Sequence, residues 1–320
     1  MKNFIWLLAL ATMPFLAIGV GSAQQGTSKG PEPAWAFPVP SEHQPPAEEN
    51  GGVRHVPGSE KAYTMAEIEN LSNPPDWFPA EHPSAPSVVT HGAGKDVLGC
   101  GSCHLMSGLG HPESANLAGL PVAYFEAQME DFKSGARTNA RMTTIGKAIS
   151  DEDIQAASKY FASLKPKPWV EVMEAATVPE TYVGNTRMRF VLPGGGTQPI
   201  GNRIIEVPQK AELAMDRDPN SGFLAYVPIG SIQRGEVLAT TGGSGKTIGC
   251  ANCHGEGLMG GKYGEPPIAG RSPTYIARQL YEFKRFERNG PGAQLMRPVV
   301  ENLSDQDILD ITAYVSSLKP

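Results

Sequence analysis

The chain is poor in the residues that define several protein classes. Its 320 residues hold only four Cys, charged residues make up 19% and aromatics 8%, and 27 Lys and Arg are outnumbered by 33 Asp and Glu. Four cysteines are too few for a disulfide-built scaffold. A formal net charge of -6 argues against nucleic acid as a partner, because that binding rests on phosphate neutralisation by clustered Lys and Arg. Long apolar runs are missing beyond the first twenty residues, so nothing downstream reads as a membrane span. What is abundant is Gly (36) and Pro (29), which predicts substantial loop and extended structure around about two cores. At the N-terminus, Lys2 precedes an apolar run from Phe4 to Val20 and then Gly21-Ser22-Ala23, the pattern of a cleaved export signal over 1–23 and hence of a periplasmic protein.

The few cysteines are all spent in one way. Cys100-Gly101-Ser102-Cys103-His104 and Cys250-Ala251-Asn252-Cys253-His254 are both C-x-x-C-H, the c-type haem attachment pattern. Two thiols one helical turn apart can add to the two vinyl groups of one haem, which sets the adjacent His under the iron. The alternatives are a C-x-x-C disulfide, which belongs in a βαβ context absent here, and a zinc site, which needs ligand pairs converging on one metal.

The motifs mark an internal repeat. Leu117-Ala118-Gly119, Tyr124, Gln128 and Phe132-Lys133 recur 151 residues later as Ile268-Ala269-Gly270, Tyr275, Gln279 and Phe283-Lys284. Ile149-Ser150-Asp151 and Asp153-Ile154 recur 154 residues later as Leu303-Ser304-Asp305 and Asp307-Ile308. In the same register, Met142 and Met296 each stand seven residues before the Ile149 and Leu303 positions. A thioether there can close the iron opposite the His, and a His/Met pair raises the reduction potential relative to bis-His. The other methionines do not recur in register and read as core filler.

Ser150 and Ser304 read as helix N-caps, followed by helical apolar faces of Ile154, Ala157, Phe161, Leu164 and of Ile308, Ile311, Val315, Leu318. Tyr124, Gln128 and Phe132 share one face of an earlier helix that Gly135 ends. Tyr124 and Tyr275 read equally as propionate donors or as core aromatics.

Together these motifs resemble class I c-type cytochromes, in particular the dihaem cytochrome c4 family. Its tandem domains carry C-x-x-C-H, a Y-x-x-x-Q-x-x-x-[FI]-K helix, a distal Met and an [IL]-S-D-x-D-[IL] terminal helix. The resemblance covers about 85–166 and 230–320. It implies a mainly α fold of two class I cytochrome c domains (86–166 and 230–320). It also implies two covalently bound haem c groups on Cys100, Cys103, Cys250 and Cys253, and iron ligation by His104, Met142, His254 and Met296. The expected role is a periplasmic carrier of single electrons between redox partner proteins, from a dehydrogenase or reductase-type donor to an oxidase-type acceptor. It needs no small-molecule substrate or catalytic residue. A cytochrome subunit of a periplasmic or membrane-bound dehydrogenase is the alternative, with any membrane association made through a partner, and a dihaem peroxidase-type enzyme is a third reading.

The sequence departs from the family in three places. Ala115 stands where the second copy has Pro266, the residue expected to offer its carbonyl to the proximal His. A Pro-rich extension, 24–85, carries three Lys and Arg against nine Asp and Glu, reading either as a docking arm for a basic partner or as a strap over the domains. A connector, 167–229, is expected to hold a β-hairpin, with Arg187–Leu192 turning through Pro193–Gly196 to pair with Ile204–Val207. Lys284, Arg285 and Arg288 read as a basic surface cluster that either steers an acidic partner or balances nearby glutamates.

Overall fold

A computed structural model of the chain describes residues 32–45 and 52–320, so the export signal expected over 1–23 lies outside the described residues. Among these residues no helix is long and apolar enough to cross a membrane.

Two helical units follow the repeat. The first contains the helices Gly101–His104, Val122–Ser134, Met142–Ala148 and Asp151–Ser163, and the second contains Ser231–Thr241, Ala251–His254, Pro273–Lys284, Arg297–Val300 and Asp305–Ser317. Local chemistry sets their ends. Ser150 and Ser304 each accept a hydrogen bond from the backbone N–H three residues on, at 3.1 and 3.2 Å, and the Asp307 carboxylate in turn accepts from the Ser304 N–H at 2.7 Å. Gly135 ends its helix at φ 82°, a left-handed conformation open to glycine.

The terminal helices bury the apolar positions their spacing predicts, with Ile154, Ala157 and Phe161 in one core and Ile308, Ile311 and Val315 in the other. The last helix is buried well beyond one face, including Asp310, Thr312 and Ser316. Its second face packs on the Ser231–Thr241 helix, where Gly235 lets the backbones meet. A Cβ there would collide with the Asp310 carbonyl.

The connector forms small sheets. Val170–Glu174 lies parallel to Phe223–Val227, which pairs antiparallel with Ile205–Pro208. A hairpin is present, but its pairing differs from the expected one. Arg189–Val191 runs back onto Thr181–Val183, and Thr197–Pro199 onto Thr177–Pro179. The Gly184 N–H to Met188 carbonyl bond (2.8 Å) closes the loop. Pro193–Gly196 is a bulge in the returning strand, held where Glu180 accepts from Leu192 N–H and donates to the Gly196 carbonyl. Short loop closure wins over the longer pairing. Ile205 and Val207, buried with Val178 and Ile200, are thereby free to join the three-stranded sheet.

The extension is folded against the rest. Val53–Arg54 pairs with Tyr63–Thr64, and Thr64 and Glu67 form a capping box on the short Met65–Ile68 helix. Val56, Ile68 and Trp77 share a small core with Leu213 of the connector, and the Trp77 indole donates to the Asp216 carbonyl at 2.7 Å.

Candidate haem sites

Each attachment motif occupies one helical turn. His104 N–H donates to the Cys100 carbonyl at 3.0 Å and His254 N–H to that of Cys250 at 2.9 Å, which brings both thiols and the imidazole of each motif onto the same turn. Nδ1 of His104 lies 2.8 Å from the Ala115 carbonyl, and Nδ1 of His254 lies 2.8 Å from that of Pro266. A carbonyl can only accept, so Nδ1 carries the proton and Nε2 is left with its lone pair, the form a metal requires. Burial, the dominant cause, holds both imidazoles below their ordinary value and therefore neutral. Ala115 thus serves as Pro266 does, because the interaction uses a backbone carbonyl and not a ring.

The four cysteines are unbridged. Burial pushes the thiol of Cys100 up to about 12 and that of Cys250 to about 11, so as free thiols both would stay protonated. Among the described residues no group of three or more His, Cys, Asp or Glu is placed to hold a metal ion by itself. Met142 packs on the same core as Cys100, and Met296 on the same core as Cys250, both half-buried. The structure therefore sets one in-register thioether and one attachment cysteine against each core.

Between the two units lies a constellation that sequence reasoning missed. Arg137 and Arg288 form an isolated antiparallel bridge, with Asn289 N–H donating to the Ala136 carbonyl at 2.7 Å. Each guanidinium crosses the boundary. Arg137 donates to Gln128 (3.0 Å), Gln279 (2.6 Å) and the Tyr275 hydroxyl (3.2 Å), and Arg288 donates to Gln279 (3.0 Å), Gln128 (2.5 Å) and the Tyr124 hydroxyl (3.3 Å). Asp131 and Glu282 flank the pair. All four residue pairs are 151 apart, so the boundary is built twice from one set of positions. The signal was available, since Arg137 and Arg288 share the register of the tyrosines and glutamines. Arg288 is accordingly buried rather than part of a surface cluster. Arg285 stacks on Phe37 and Tyr281, and Lys284 donates to the Leu303 carbonyl.

The charge balance of this boundary tests whether haem fits. Arg137, Arg271 and Arg288 are buried; Arg137 and Arg288 face two carboxylates, Asp131 and Glu282, whose pKa values burial raises, while Arg271 faces only the Tyr124 and Tyr275 hydroxyls. Arg271 donates only to the carbonyls of Asn116 and Ala118, its Nε has no partner, and burial lowers its pKa to about 10. An uncompensated buried guanidinium is costly, and the carboxylates of haem propionates are the counter-charge this region lacks. The residues fit the group.

Two attachment turns with neutral, carbonyl-anchored histidines, each beside a helical core, define a dihaem c-type protein. The family model described as cytochrome c matches residues 232–319. Cytochrome c-554(548) of Halomonas halodenitrificans is 39% identical over 75 residues, covering 23% of this chain and 90% of the relative. Cytochrome c4 of Pseudomonas aeruginosa is 26% identical over 240 residues, 72% of this chain and 92% of the relative. A thiosulfate dehydrogenase electron acceptor of Thiomonas intermedia is 26% identical over 226 residues, 69% of this chain and 79% of the relative. Residues 232–319 thus match a cytochrome c domain, and over most of its length the chain resembles the dihaem cytochrome c4 proteins, which indicates two covalently bound haem c groups. Its fold is mainly α with small sheets, and its general role is electron transfer.

Proposed function

We propose that this protein is a periplasmic carrier of single electrons between partner proteins, through two haems held by Cys100 and Cys103 and by Cys250 and Cys253, with axial pairs His104/Met142 and His254/Met296. Each haem, when bound, supplies a reversible one-electron centre. The chain's own residues hold it. The carbonyls of Ala115 and Pro266 fix the tautomer of the two histidines. Met142 and Met296 stand in register on the same cores as the first cysteines, and the Arg137–Arg288 network joins the two units. The observation that carries the reading is the pair of attachment turns with carbonyl-anchored histidines; no substrate-transforming residue is required by it.

A spectroelectrochemical titration of the holoprotein tests the ligand set. Replacement of Met142 or Met296 by Ala should remove part of the thioether-to-iron absorption and lower one midpoint potential. Unchanged spectra and potentials in either variant overturn that assignment.

A second reading is a cytochrome subunit of a dehydrogenase complex. It is favoured by the relative named as a thiosulfate dehydrogenase electron acceptor. Co-purification at fixed stoichiometry with a dehydrogenase distinguishes it from a free carrier.

A further inference from the structure

The two attachment turns are alike in sequence pattern and backbone bonding but opposite in exposure. In the first, Gly101, Ser102, Leu105 and Met106 are buried, whereas in the second Ala251, Asn252, Cys253 and Glu256 are exposed. The contrast extends to the position six residues after the second cysteine, where Leu109 is 2% exposed and Met259 is 51% exposed. Before the in-register methionines both positions are exposed and the difference is one of polarity, charged Arg141 corresponding to apolar Leu295, which is 71% exposed.

The segments foreign to the repeat account for the difference. Leu105 and Leu109 are covered by Trp169, Phe190 and Phe223 of the connector. Gly99 N–H donates to the Leu71 carbonyl of the extension at 3.0 Å. Arg217 of the connector ties three segments together, donating from Nε to the Ile68 carbonyl at 2.9 Å and from Nη1 to the Ser102 carbonyl inside the attachment turn. Nothing comparable covers the second turn among the described residues. Its rim is apolar, with Ile248, Met259 and Leu295 exposed, and close to neutral, with Lys246 paired to Asp307 and Lys262 lying over Tyr263.

We propose that protein redox partners engage this chain only at the second haem domain, on the face around Asn252, Cys253, Met259 and Leu295, while the extension and connector, latched by Arg217, close the attachment-turn side of the equivalent face of the first and leave charged Arg141 on its open side. The partner is an electron-transfer protein whose own cofactor edge is ringed by apolar side chains, since the rim offers apolar area and little net charge. The first haem then exchanges electrons with proteins through the second. This rests on the electron-carrier reading.

Two measurements on the full-length holoprotein test it. In hydrogen exchange, the amides of Gly101–Met106 should exchange at least about tenfold more slowly than those of Ala251–Glu256, and Arg217→Ala should narrow that gap. In stopped-flow reduction by a reduced blue-copper protein, Leu295→Glu should slow the bimolecular rate about tenfold and Arg141→Glu should leave it unchanged, with hexaammineruthenium(II) insensitive to both. Equal exchange in the two wild-type turns overturns the closed face, even if Arg217→Ala fails to fold. Arg141→Glu slowing the blue-copper reaction as much as Leu295→Glu overturns the single docking face, as does an unaffected Leu295→Glu. The exchange contrast does not depend on which side chains ligate iron, so a failed ligand assignment would leave it in place.

Discussion

At the scale of single residues, the chemistry is carried by groups whose partners are backbone atoms. The proximal histidines depend on one carbonyl each, which is why the change from Pro266 to Ala115 leaves the same 2.8 Å contact. In the proposed ligand set the distal side depends on one side chain each. Met142→Ala and Met296→Ala should therefore each lower a single midpoint potential by on the order of 0.1 V, a fraction of the ~0.8 V that axial ligation spans, and potentiometry of the holoprotein checks it. His82 is a residue-scale case with a pH signature. Its Nε2 lies 3.1 Å from Asp76 and its ring packs edge-on to Tyr160, and the Asp76 hydrogen bond, the leading cause, raises its pKa against the opposing effect of burial. A raised folded-state value means the contribution is present below the ordinary His range and is lost as pH rises through the folded value. Melting temperature should thus fall across that window in the wild type and less so in His82→Gln, a difference that thermal melts at a series of pH values would reveal.

Elements show where sequence is readable. The attachment turns, the caps at Ser150 and Ser304 and the helix end at Gly135 were legible because each is fixed by residues within four positions. The strand pairing was not. Arg189–Val191 and Thr197–Pro199 are three residues each, too short for alternation to declare a face, and the Pro193–Gly196 segment has the composition of a turn while serving as a bulge. The burial of Asp305–Ser317 beyond its apolar face was equally hidden, because Asp310 and Tyr314 meet a neighbour whose closeness depends on one glycine, and polar Thr312 and Ser316 are buried besides. Gly235→Ala should cost about 2 kcal/mol or more, since the collision is with backbone that cannot rotate away, and denaturant unfolding of the holoprotein measures it. Ser304→Ala should cost about 1 kcal/mol in the same assay through loss of its capping bonds.

The whole molecule is held together by what the repeat places at its boundary. The extension, read from sequence as either arm or strap, is tied down through its acidic residues: Glu32 meets Arg285 at 3.0 Å and Glu81 meets Lys167 at 3.1 Å. Its surplus negative charge is thus partly spent inside the molecule. The Arg137–Arg288 network was missed for the opposite reason. Arginine in sequence reads as surface, and the groups that make these two tolerable in the interior come from the other domain. Because each guanidinium binds the glutamines of both units, removing one leaves partners unsatisfied on both sides. Arg288→Gln should weaken docking of the units by about 3 kcal/mol and split one calorimetric unfolding transition into two. The same change should lower the reduction potentials. A buried positive charge near a redox centre favours the reduced, less positive state, so its loss favours the oxidised one. Exposed Arg141→Gln, which removes the same charge outside the network, should leave the single transition intact, so comparing the two variants by calorimetry separates the bridging geometry from net charge.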